Sequence, residues 1–261
     1  MLTAAQIAHF ETFGFFVLRQ LFTPDEVAIM KREAEEIFDE DRGGEPFEGI
    51  ETQGVQPFME RKPFLSRVAD DDRIYNIGVD LCGPDFVLEG TSGSLRVGDT
   101  PWHADMCQEN PLKNTQITFY PQPLTRDTGS LRVIPGSHLV APSDLRAVLG
   151  DERTYDGAFR PFGVAPSEIP CYVYESVPGD VLVHTESLIH GAFGGGVDRH
   201  QYSLSFIVNP KTEVQIASIN EVYKTAKFML HPAESYVHSD RPRIRRMVSR
   251  LVELGFETSK V

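Results

Sequence analysis

Cysteine is scarce in this chain, with only Cys82, Cys107 and Cys171 present. Three thiols cannot all pair, and their spacing makes neither a zinc knuckle nor a redox C-x-x-C motif. A disulfide framework is thereby excluded, and reduced thiols in a reducing compartment are expected. Cys107 follows Asp105 by two residues, which could bring it near any ion held there, but its expected role is that of a small packing residue. Positive charge is short as well. With 25 Lys and Arg against 38 Asp and Glu, the net charge is −13. Neutralising phosphates requires the opposite surplus, so no nucleic-acid partner is expected. Attraction to anionic membranes is disfavoured for the same reason. No stretch approaches the ~20 consecutive apolar residues of a membrane-spanning helix. Nor does a basic segment followed by a long apolar run stand at the N-terminus, so the expectation is no secretory signal and a cytoplasmic location.

What is present reads as an ordinary globular chain. Its 261 residues are 41% hydrophobic and 24% charged, enough for one domain spanning 1–261. Helical spacing over 3–13 is broken by Gly14 ahead of the strand-like F-F-V-L of 15–18. Thr23-Pro-Asp-Glu26 carries a capping box, which starts a helix running from Pro24 to about Phe38. The helical N-terminal part thus covers about 1–40. Residues 41–62 are rich in Gly, Pro and charge and read as an irregular lid. Strand-like runs recur at 86–97, 102–107, 115–121, 131–134, 171–177, 180–184 and 201–208, a spacing that fits a sandwich or jelly roll. The interruption at 139–170, with a helix candidate at 143–150, reads as a second lid over the substrate. A helical C-terminal part covers about 220–256, and its basic R-P-R-I-R-R run (241–246) reads as a solvated face or a dimer contact.

The chemistry concentrates at His103-Ala104-Asp105 and at His190 in L-I-H-G-A-F, with His184 as its competitor. Two imidazoles and one carboxylate on one face of an ion leave three sites open, which suits non-haem Fe(II). On a strand, residues i and i+2 point the same way, so His103 and Asp105 are expected to reach one ion together. Trp102, the only tryptophan, then points to the opposite face and is read as core packing.

Three longer stretches frame these residues: G-D-T-P-W-H-A-D (98–105), T-Q-I-T-F-Y-P-Q-P-L-T-R-D-T-G-S-L-R-V-I-P-G-S-H (115–138) and P-G-D-V-L-V-H-T-E-S-L-I-H-G-A-F-G-G-G-V-D-R (178–199). Together they resemble the phytanoyl-CoA dioxygenase family of Fe(II)/2-oxoglutarate oxygenases. The likeness runs from Phe10 through the strand after Arg199. It implies an all-β core with flanking helices, a double-stranded β-helix of cupin-like jelly-roll type, over about 86–210. It also implies Fe(II), 2-oxoglutarate and O2, with the cosubstrate decarboxylated to succinate and CO2 as a small molecule is hydroxylated. By the same resemblance His103, Asp105 and His190 are the metal ligands, and His184 packs nearby. Arg199, nine residues after His190, is the expected partner of the distal carboxylate of 2-oxoglutarate, because arginine offers a planar, permanently charged fork.

Weaker expectations complete the site. Gln116, Thr118 and Tyr120 share one strand face and would contact the cosubstrate if that face points inward. Arg96 and Ser94 precede the metal motif and are placed near cosubstrate or substrate. His200 should face away from Arg199, and His138 should brace its P-G-S-H turn. The runner-up is a cupin-like metal-binding module or isomerase that does not use 2-oxoglutarate, which has no use for Arg199. A degenerate structural member is disfavoured by the intact triad, and a halogenase by Asp105, where a small residue would be expected. No basic patch suits a coenzyme A tail, though Arg96, Arg153 and Arg160 could meet an anionic group. Substrate identity and oligomeric state are not legible.

Overall fold

The computed structural model describes residues 1–107, 110–140, 145, 148–149, 158–225 and 230–261. Its first helix, α1 (Ala4–Phe13), is capped by Thr3 in a reciprocal box with Gln6 and ends at Gly14, whose φ is 81°. A side chain at Gly14 would lie 2.6 Å from His138 Nδ1. His138 in turn donates Nε2–H to the Glu11 carbonyl at 3.2 Å. His138 is thus structural, as expected, and ties its P-G-S-H turn to the end of α1. Strand β1 (Phe15–Leu18) follows, then α2 (Pro24–Asp41) with the capping box between Thr23 and Glu26. It runs one turn beyond Phe38 before the glycines at 43 and 44.

Segment 41–62 is not simply a lid. Strand β2 (Gln53–Val55) pairs with the later β3, and Phe58 and Met59 are wholly buried. Two aromatic and thioether side chains in the core anchor what composition alone makes look loose. Helix α3 (Asp72–Cys82) was not foreseen; Asp71 caps it, accepting from Arg73 N–H at 2.9 Å.

The remaining strands are β3 (Val87–Arg96), β4 (Thr100–His103), β5 (Asn114–Phe119), β6 (Leu131–Val133), β7 (Tyr172–Val173), β8 (Val181–His184), β9 (His190–Ala192) and β10 (Arg199–Ile207). They form a jelly-roll core without a closed barrel. A six-stranded sheet runs β1-β8-β5-β10-β3-β2 and a four-stranded sheet runs β4-β9-β6-β7. All pairings between these strands are antiparallel. Strand β9 was too short to be seen in the sequence.

The larger sheet has two unlike faces, and that positions the site. Alternate residues Ile117, Phe119, Val181, Val183, Tyr202 and Leu204 pack with Met30, Ile37, Ile74 and Ile77 of α2 and α3 into the main core. On the other face Leu182 of β8 joins a smaller apolar cluster, while Gln116 on β5, Ser92 and Arg96 on β3, and Gln201, Ser203 and Ser205 on β10 line a cavity of about 440 Å³. Strand periodicity thereby separates an apolar, load-carrying face from a polar working one.

The P-G-D motif is structural. Gly179 takes φ 99°, and a side chain there would approach the Phe22 carbonyl to 2.4 Å. Asp180, 1% exposed, accepts from Gln20 N–H at 2.9 Å and from Arg19 Nη1 at 2.6 Å. Burial works to raise its carboxyl, but these donors outweigh burial and hold it below the usual range. Asp180→Asn should therefore cost about 1–3 kcal/mol at neutral pH. A depressed carboxyl contributes its stability above the unfolded pKa and loses it as pH falls through the folded one. In denaturant melts the difference between wild type and variant should shrink below about pH 4; an unchanging gap down to pH 2 would contradict the assignment.

At the C-terminus lie α4 (Glu213–Thr225), α5 (Glu234–Val237) and α6 (Pro242–Glu253). The basic run is only in part a solvated face: Arg243 and Arg245 are exposed, while Arg241 and Arg246 are docked. Arg241 donates to Ser66 O at 3.0 Å and Asp70 Oδ1 at 2.8 Å, while Arg246 donates to Phe86 O at 2.7 Å with its guanidinium 4.6 Å from the Phe86 ring centroid. These arginines dock α6 onto the body of the fold. No described helix is long and apolar enough to cross a membrane.

Candidate active site

Register brings the two histidines together. His103 and His190 are direct partners across β4 and β9, with ring centroids 4.2 Å apart. Asp105 arrives differently from the expectation. Strand β4 stops at His103, and the chain bends at Asp105 and Met106. Met106 N–H leaves the ladder for the Glu186 carbonyl at 3.1 Å. The carboxylate is swung in by this bend, not by strand alternation; β4 is an edge strand carrying Pro101, where pairing lapses easily.

The three side chains offer ligand atoms all within 4.8 Å of one another. Asp105 Oδ1 is 3.4 Å from His103 Nε2, and Oδ2 is 3.6 Å from His190 Nε2. Such gaps are too long for strong hydrogen bonds and short enough to share one ion. Both rings are held from behind: His103 Nδ1 contacts the Pro101 carbonyl at 2.8 Å, and His190 Nδ1 the Leu188 carbonyl at 2.9 Å. A carbonyl only accepts, so each Nδ1 carries the proton and each Nε2 presents a bare lone pair. Burial, then the neighbouring His103, pushes His190 down to about 3, which keeps it a neutral donor. Burial would raise the Asp105 carboxyl, but the facing imidazoles outweigh it and hold it well below the usual range. Gln116 Nε2 donates to Asp105 Oδ2 at 3.4 Å and its Oε1 accepts from Thr118 at 3.3 Å. The face bearing Gln116 therefore points inward.

His184 is fully buried, with its ring 5.2 Å from that of His190 and Nδ1 on the Thr185 carbonyl at 3.1 Å. It stands outside the three-residue cluster.

Arg199 and Arg96 face each other across β10 and β3. Arg199 is 4% exposed, and its Nη1 has no hydrogen-bond partner; neither does Arg96 Nε. Burial and the facing Arg96 push the Arg199 guanidinium below its ordinary value, against the pull of Tyr120. The guanidinium occupies space that only glycine leaves. A Cβ on Gly129 would sit 1.9 Å from Arg199 Nη1, and one on Gly195 2.2 Å from it. That explains two glycines of the D-T-G-S and G-A-F-G-G-G stretches at once. His200 turns to the other face, 3.2 Å from Asp198 and beside Phe38. Trp102 is 1% exposed and donates Nε1–H to Pro166 O at 2.9 Å, a core residue as expected.

Residues 10–200 match the family model described as phytanoyl-CoA dioxygenase (PhyH). The chain belongs to this family. An ectoine dioxygenase of Sphingopyxis alaskensis is 23% identical over 217 residues, spanning 74% of this chain and 71% of that relative. Among solved structures, HygX of Streptomyces hygroscopicus with nickel and 2-oxoglutarate bound aligns at TM-score 0.65 and 22% identity, over 81% of this chain and 89% of that one. The epimerase SnoN in complex with Fe3+, alpha ketoglutarate and nogalamycin RO aligns at TM-score 0.59 and 19% identity, over 79% and 83%. At these identities the structures speak for the fold.

Three acids that strand periodicity and motif spacing do not single out also reach the site. Glu60, Glu89 and Glu186 line the same cavity as His103, Asp105 and His190. A lone charged residue inside the apolar V-L-E-G-T run, and another between the two histidines of H-T-E-S-L-I-H, were the available signals. Lid expectations shift too. Gln56, Pro57 and Glu60 line the cavity from one side and Val222 and Leu230–Ala233 from another, whereas none of the described residues of 139–170 does. The helix candidate at 143–150 falls mostly, and Arg153 wholly, outside the described residues. Arg160 is exposed and turned to its own chain, donating to Phe159 O at 2.9 Å.

Proposed function

We propose that this family member is an Fe(II)/2-oxoglutarate-dependent dioxygenase that hydroxylates an unactivated C–H bond of a small molecule: R–H, O2 and 2-oxoglutarate become R–OH, succinate and CO2. One observation carries the reading furthest. Arg96 lines the cavity of the His-Asp-His cluster, the deeply buried Arg199 faces it across the strand pair, and both carry orphaned donors. Like charges directly opposite on a sheet are destabilising, so the pair makes sense as the receptor of an anion. A cupin-like module or isomerase without 2-oxoglutarate has no use for it.

The residues fit the group they would hold. The Nε2 lone pairs of His103 and His190 and the Asp105 carboxylate would hold Fe(II), leaving three sites open. The bound metal would supply two-electron oxidation with O2 and a 2-oxo acid. The chain's own part is to hold and exclude. Backbone carbonyls behind each imidazole fix its tautomer, Gln116 and Thr118 orient the Asp105 carboxylate, and Arg199 would clamp the distal carboxylate of the cosubstrate, with Arg96 adding charge.

Anaerobic addition of Fe(II) and 2-oxoglutarate should give a weak metal-to-ligand charge-transfer band in the visible. Iron binding without that band at saturating cosubstrate would sink the 2-oxoglutarate assignment. Because SnoN, an epimerase, shares the fold, the outcome of the reaction needs its own check: a hydroxylated product should carry an 18O atom from 18O2, and an isomerised one none.

A further inference from the structure

The cavity has a cationic end at Arg96 and an acidic end that the metal cluster does not use. Glu89 is 3% exposed and Glu186 1%. Glu89 Oε2 and Glu186 Oε1 have no hydrogen-bond partner, although both residues line the cavity. Among the described residues no lysine or arginine forms an ion pair with either; their neighbours are each other, Ser205, Gln116 and Asp105. Acids this deep are almost never left without a counter-charge.

The backbone delivers them deliberately. In the β3–β10 register Ser205 pairs with Gly90 and Phe206 with Leu88, so Glu89 is the skipped residue of a bulge. Bulges re-aim a side chain, and they concentrate beside active sites. The Glu89 carbonyl accepts Leu230 N–H at 3.1 Å, and Glu186 N–H donates to Asn114 Oδ1 at 2.8 Å. Both acids are pinned by their main chains, with one oxygen each left for a ligand.

We infer that the substrate carries a protonated primary or secondary amine, which seats between the Glu89 and Glu186 carboxylates while the carbon to be oxidised turns towards His103, Asp105 and His190. This rests on the oxygenase reading above. An ammonium offers two or more N–H donors to two orphaned acceptors and supplies the missing positive charge. Without it, burial and then Asp105 push Glu186 up to about 7, while burial, Glu186 and Asp105 hold Glu89 well above the usual carboxylate range.

The test uses the chain loaded anaerobically with Fe(II) and 2-oxoglutarate. The charge-transfer band first confirms that the metal site is formed. Calorimetric titration then compares 2-aminoethanol, 1,4-diaminobutane and glucosamine with ethylene glycol, 1,4-butanediol and N-acetylglucosamine. At least one amine should bind tenfold or more tighter than its neutral counterpart. Glu89→Gln and Glu186→Gln should each weaken that amine by about ten- to a hundredfold, the loss of a charged hydrogen bond. Equal binding of the neutral set, no amine binding at all, or amine affinity unmoved in both variants would overturn the inference while the band leaves the oxygenase reading standing. Absence of the band would take both down.

Discussion

Asp105→Ala and His190→Ala should each lose iron on dialysis and abolish substrate oxidation, while His184→Ala keeps most of its metal. Removing one of three ligand atoms that lie within 4.8 Å of each other forfeits a metal bond. Removing a group packed against a ligand typically costs about 10–100-fold in metal affinity or activity. His184 is the right comparison because its state is so similar. Its Nδ1 is also tied to a carbonyl, and its buried Nε2 has no partner. Only position separates the two histidines: His190 is the register partner of His103, whereas His184 pairs with Phe15 and Gln116 on the other sheet. Iron content per chain after dialysis settles the matter. If His184→Ala strips the metal and His190→Ala does not, the ligand has been assigned to the wrong sheet.

The same contrast shows how much of the site was legible in the sequence. Residue types and their order along the chain pointed to His103, Asp105, His190 and Arg199, and the fold brings the first three within reach of one another. The reason given for the first two, strand alternation, does not hold; Asp105 is delivered by a bend at the end of an edge strand. Periodicity sees faces and misses bends. It found the polar face of β5 through Gln116 and Thr118, since two residues on one side of a strand announce each other. It missed Glu89, because a bulge breaks the two-residue period at that residue. Helix α3 escaped for a related reason: its buried Ile74, Ile77 and Gly78 are few, and Gly78 is there to admit the Phe86 ring, whose atoms would lie 2.8 Å from a Cβ. Composition likewise gave only part of 41–62 and 241–246, where irregular or exposed residues alternate with docked ones. Charged and glycine-rich segments read as solvent-facing until individual side chains, such as Phe58 and Arg246, are seen to be docked.

Arg199→Ala should raise the 2-oxoglutarate requirement far more than that for the primary substrate. A buried ion pair that loses one partner leaves the other desolvated, at about 3–5 kcal/mol. At about 1.4 kcal/mol per decade, this means about two to three orders of magnitude in cosubstrate affinity. Arg199→Lys should recover only part of the loss. A point charge cannot reproduce the planar fork, and the space beside Gly129 and Gly195 is shaped for a guanidinium. Arg96→Ala is the informative partner. Arg96 is only partly buried, and its removal also relieves the repulsion Arg199 feels across the strand pair. The two effects oppose, so cosubstrate affinity should fall by about tenfold at most. The double variant should then be little worse than Arg199→Ala alone, because without Arg199 the distal carboxylate has no bidentate site to lose. Titrating each variant through the charge-transfer band separates the outcomes. Should Arg199→Ala bind 2-oxoglutarate as tightly as wild type while Arg96→Ala does not, the carboxylate anchor lies on β3 and the placement on β10 is wrong.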